Sequence, residues 1–89
     1  MSLSLQGEEI QSFLEKIKES PGDFRAYNEM ALYLVSQSLN KDALKLFEEA
    51  IRIAPGAAIL YYNYGCSLAA EKEVAAAEEQ FKTSLRLNP

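Results

Sequence analysis

Histidine and tryptophan are both absent from this sequence, and cysteine occurs once, as Cys66. Without histidine the chain lacks the commonest general base and a major metal ligand. Cys66 cannot close an internal disulfide, and no histidine or second cysteine accompanies it to form a metal site or nucleophile pair. A lone cysteine fits a reducing compartment, so the cytoplasm is favoured over export while the localisation itself stays open. The four glycines, Gly7, Gly22, Gly56 and Gly65, are isolated, so no glycine-rich phosphate loop exists. No apolar run approaches the roughly 20 residues of a membrane span, and no signal-peptide pattern opens the chain. Basic residues are in the minority, with nine Lys+Arg against thirteen Asp+Glu and a net charge of −4. They are also scattered, Lys16 and Lys18 being the one close pair, so no basic stripe forms. An acidic surface repels phosphate, which argues against nucleic acid and against insertion into or binding to an anionic membrane. The expectation from these absences is a chain without catalytic residues, metal or cofactor.

Carboxylates are plentiful, and Glu8-Glu9, Glu48-Glu49 and Glu78-Glu79 form pairs. Each pair falls on the polar side of an amphipathic helical pattern. Acid–base work needs a partly apolar, concave setting, so these pairs read as solvated helix faces.

What the sequence has is a period. Pro21, Pro55 and Pro89 are evenly spaced by 34 residues (55 − 21 and 89 − 55). The same shift places Gly22 on Gly56, Tyr27 on Tyr61, Leu34 on Leu68, Ala43 on Ala77, Phe47 on Phe81 and Arg52 on Arg86. Ala31 with Gly65, Ala50 with Ser84, Ile51 with Leu85 and Ile53 with Leu87 follow as conservative pairs. Coincidence explains one such pair but not a register of them.

Within each period the apolar residues recur at three and four residues, the spacing of an amphipathic helix. Asp23 is the expected cap of one helix, carrying Tyr27, Met30, Ala31, Leu34 and Val35 on one face. Asn40 is the expected cap of a second, with Ala43, Leu44, Phe47, Ala50, Ile51 and Ile53. The pattern predicts helices near 5–19, 23–37, 41–54, 57–70 and 74–87, with turns at Ser36–Asn40 and Glu71–Glu73. The small residues Ala31, Gly65, Ala43 and Ala77 let paired helices approach closely, while Phe47 and Phe81 fill the space one turn on.

These residues resemble the tetratricopeptide repeat family, whose pattern is a large aromatic, Leu-Gly, an aromatic, a small residue, Phe, a small residue and Pro. Tyr61, Tyr64-Gly65, Leu68, Ala77, Phe81, Ser84 and Pro89 carry it once. Tyr27, Met30-Ala31, Leu34, Ala43, Phe47, Ala50 and Pro55 carry it before that. The resemblance covers residues 22–89, about three quarters of the chain. It implies an all-α, right-handed superhelix of antiparallel hairpins, divided as 1–21 (a capping half-repeat), 22–55 and 56–89. In the capping segment Ile10, Phe13, Leu14 and Ile17 are the expected apolar face.

The family usually binds protein segments in a concave groove lined by the first helix of each repeat. Carried over by position, the groove comprises Arg25, Asn28, Leu32, Val35 and Ser36, then Ile59, Tyr62, Cys66, Ala69 and Ala70, with Asn63 beside them. Some relatives clamp a partner's C-terminal carboxylate there with lysine, asparagine and arginine, and Asn63 matches one of those places, which is also commonly asparagine in the family. Asn28, Leu32, Tyr62 and Cys66 occupy the places where the clamp lysine and asparagine are expected, so a clamp is not expected here. An RNA-reading pentatricopeptide array is opposed by the period of 34 rather than 35 and by the acidic balance.

The expected function is a non-catalytic module that binds a peptide or helix of a partner protein. The alternatives are a structural or oligomerising module, or a segment of a larger enzyme or secretion component. The family's arrays generally finish with an extra helix. With none following Pro89 here, Phe81, Leu85 and Leu87 are the expected self-association surface of a homodimer.

Overall fold

The computed structural model describes residues 7–89, which form five helices: α1 (Glu8–Glu19), α2 (Phe24–Ser36), α3 (Asn40–Ile53), α4 (Ala58–Ala70) and α5 (Val74–Leu87). No strand occurs among the described residues. The first helix was expected from residue 5; residues 5 and 6 lie outside the described part, and Gly7 is the residue at its N-cap. The other four begin and end within one residue of the expected bounds.

Each helix packs on its neighbours in sequence, and α2 also meets α4. The closest associations are the hairpins α2–α3 and α4–α5, and α3 against α4 joins them. Three-residue turns close both hairpins, and the turns repeat each other. Ser38 (φ 64°) and Lys72 (φ 65°) both adopt the left-handed conformation, 34 positions apart. After each, a backbone N–H reaches back across the helix end: Leu39 to the Leu34 carbonyl at 2.8 Å, and Glu73 to that of Leu68 at 2.9 Å. This is a Schellman-type stop, made without glycine.

Asp23 caps α2 as expected, its carboxylate accepting from the Arg25 N–H at 3.0 Å. Asn40 does not cap α3. It is already the first helical residue, Leu39 holds the cap position, and Asn40 Oδ1 is buried without a hydrogen-bond partner. The left-handed turn at Ser38 redirects the chain one residue earlier than an asparagine cap would.

Small residues stand where the helices cross. Ala31, Ala43 and Ala50 are fully buried, Ala77 is 2% exposed, and Phe47 is fully buried beyond them. Ile10, Met30 and Leu34 complete this core, with Phe13, Ile17, Tyr33, Val35, Leu46 and Tyr64 packed around it. A buried leucine such as Leu34 or Leu60 contributes about 1.5–3 kcal/mol relative to exposure. In α1 the expected apolar face is narrower than the pattern indicates: Ile10 is buried, Phe13 and Ile17 are half-buried, and Leu14 is exposed. Among the described helices α1 meets α2 alone, so one stripe of its surface is covered. Phe13 leans on Tyr33 with ring centres 5.8 Å apart, and Lys16 reaches Glu29 at 3.8 Å.

Candidate functional site

The residues assigned to a groove lie along α2 and α4, the helices that meet side by side. A hydrogen bond links them, Asn63 Nδ2 donating to Asn28 Oδ1 at 3.0 Å. Among the described residues it leaves the Asn63 carbonyl oxygen and the Asn28 amide hydrogens free of other side-chain partners. Leu32 (43%), Ile59 (53%) and Cys66 are exposed beside it, as are Ala69 and Ala70. Arg25 stands at the start of α2, where Nε and Nη2, one edge of its guanidinium, donate to the two oxygens of Asp23. That pairing holds the Asp23 carboxyl below its usual range and raises the arginine further. Ser36 donates to the Tyr33 carbonyl at 2.6 Å.

Two of the residues assigned to the groove have further contacts in the folded chain. Val35 is half-buried against the core. Tyr62 keeps 52% exposure, but its ring lies 5.8 Å from that of Phe81, tilted by 49°. It therefore faces α5 and the end of the molecule as much as the α2–α4 seam. With Phe81, Ser84 and Leu85 it lines an almost wholly apolar hollow of about 310 Å³. Leu85 and Leu87 are exposed at 65% and 43%, and Phe81 is half-buried.

A second mostly apolar hollow, of about 190 Å³, lies between α2 and α3, lined by Met30, Leu34, Asp42, Lys45 and Leu46, and the remaining ones are of mixed or polar lining. One of about 330 Å³ lies where α1 ends and α2 begins, bordered by Lys16, Glu19, Asp23, Arg25 and Glu29. The acidic pairs lie on helix surfaces: Glu49 engages Arg52, and Glu78 and Glu79 each stand 3.9 Å from Lys82. Glu48 has a role the sequence reading missed, accepting the Tyr64 hydroxyl at 2.8 Å across the α3–α4 seam. Burial and that bond push the Tyr64 phenol up to about 12. Spacing could not reveal this contact, because the two residues belong to different repeats. Among the described residues no group of three or more metal-ligating side chains converges, and no helix is long and apolar enough to cross a membrane.

No protein-family model matches the chain, and no curated protein matches it either.

Proposed function

We propose that the chain is a tetratricopeptide-type array acting as a non-catalytic interaction module, which binds a segment of a partner protein along α2 and α4. The observation that carries this reading is the exposed apolar pair Leu32 and Ile59 flanking the Asn28–Asn63 amide bond. Isolated exposed leucines need no explanation, but apolar side chains grouped around oriented amides suit a peptide. The leucine and isoleucine take apolar side chains of the ligand. The free Asn63 carbonyl accepts a ligand N–H, and the free Asn28 amide donates to a ligand carbonyl. The 34-residue register and the matching turns at Ser38 and Lys72 support the family reading.

The test is selection of ligands from a displayed library of random peptides, followed by affinity measurement on purified protein. Leu32→Glu with Ile59→Glu should abolish binding at unchanged helicity and melting temperature, whereas Lys41→Glu on α3 should leave it intact. Peptides that bind the double variant as well as the parent would refute the site.

A further inference from the structure

The first hairpin and its neighbour provide a template for what covers the second. Phe47 on α3 is fully buried, its ring centre 6.4 Å from that of Tyr64 on α4, and Ala50 beside it is fully buried as well. One period later the corresponding residues are Phe81 and Ser84, and Ile51 corresponds to Leu85. Here the seam is open: Phe81 is half-buried, and Leu85 is 65% exposed over the apolar hollow that Tyr62 completes. The same surface is covered by a helix in one place and uncovered in the other.

We propose that the α5 hollow docks an amphipathic helix of a partner, seated as α4 is seated on α3, which carries an apolar residue followed directly by a carboxylate where α4 has Asn63 and Tyr64. The substitution follows from what each hairpin offers. On the first, Asn63 donates to Asn28 and Tyr64 donates to Glu48. On the second, Tyr62 replaces Asn28 and Lys82 replaces Glu48. An asparagine brought over the Tyr62 ring would lose water without the amide oxygen that Asn28 supplies to Asn63, whereas an apolar side chain gains contact with Tyr62 and Phe81. A phenol brought to Lys82 accepts at most a hydrogen bond on a neutral oxygen, whereas a carboxylate pairs charge with charge and bonds more strongly. Lys82 stands 3.9 Å from Glu78 and Glu79, beyond hydrogen-bond distance, so its donors remain available. A second copy of this chain is a poor occupant. Its own α4 is already engaged on α3, so it has no helix of that face to offer.

The probe is a synthetic peptide of residues 57–73 of this chain, compared with the same peptide carrying Asn63→Leu and Tyr64→Glu. Each is titrated into isotope-labelled protein and followed by amide chemical shifts. The altered peptide should bind about tenfold more tightly, with shifts centred on Phe81, Lys82 and Leu85. Lys82→Glu, an exposed change, should remove that preference. Tyr62→Asn with Lys82→Glu should reverse it toward the unaltered peptide. Leu32→Glu with Ile59→Glu should change nothing, which separates this site from the α2–α4 face. Equal affinity of the two peptides, a preference indifferent to Lys82→Glu, or no shift on α5 would each overturn the proposal. So would self-association that Leu85→Lys abolishes and neither peptide competes away, which assigns the face to a second copy.

Discussion

Gly65 and Phe81 touch so closely across the second hairpin that a Cβ built on Gly65 would stand 2.7 Å from Cε1 of the ring. The first hairpin holds Ala31 and Phe47 at the same places and tolerates the methyl group, both residues being fully buried. Gly65 therefore sets how far α4 and α5 can close. A glycine inside a helix costs about 1 kcal/mol relative to alanine, which this contact offsets.

A double-mutant cycle separates those two effects. Gly65→Leu should destabilise by roughly 1–3 kcal/mol through overpacking. Gly65→Ala should be neutral or unfavourable in the parent, yet stabilise by about 0.5–1 kcal/mol once Phe81→Leu removes the ring. Denaturant melts of the four proteins measure the coupling, and simple additivity would show that the ring does not require the glycine.

The left-handed turn residues predict a gain. Non-glycine residues in that conformation cost about 1–2 kcal/mol locally, and part of this is returned when glycine replaces them. Ser38→Gly and Lys72→Gly should each raise stability by about 0.5–1 kcal/mol, and the two should add because the turns belong to separate hairpins. Thermal unfolding checks both, and a loss at either position would place that turn elsewhere in the real conformational balance.

Tyr64 predicts an alkaline transition. Burial, and then its bond to Glu48, lift the phenol from its ordinary value of 10.0 to about 12 in the folded chain. The proton is thus held more tightly folded than unfolded. This contribution is complete below pH 10.0 and is lost as the pH rises through about 12. Phenolate absorbance should show a late transition that is absent from Tyr64→Phe and shifted down by Glu48→Gln. The fall in stability of the parent relative to Tyr64→Phe should lie in the same window. A late absorbance transition that survives Tyr64→Phe, or that Glu48→Gln leaves in place, would contradict the contact.

Tyr62 should behave as a packing residue in part. Its ring contact with Phe81 is of the kind that contributes about 0.5–1.5 kcal/mol beyond area. Tyr62→Ala should therefore lower stability, whereas Leu32→Ala, exposed and without an aromatic partner, should change it within about 0.5 kcal/mol. Equal, negligible effects in urea melts would return Tyr62 to the role of a free groove residue.

The number of helices, the bounds of α2 to α5 to within a residue, and the small residues at the crossings were determined by the sequence alone. Apolar spacing of three and four residues and a shift of 34 report a helix's own face, and that information is local. Tertiary structure decided which neighbour closes each face. Val35 and Tyr62 share the helical stripe of Leu32 and Ile59, yet one turns to the core and the other to Phe81. Asn40 has the chemistry of a cap but lost that place to Leu39, because a backbone conformation at Ser38 set where α3 begins. The Tyr64–Glu48 and Asn63–Asn28 bonds join residues 16 and 35 positions apart, and they exist because the hairpins pack together. Periodicity names a surface. Contact geometry between distant residues determines what that surface meets.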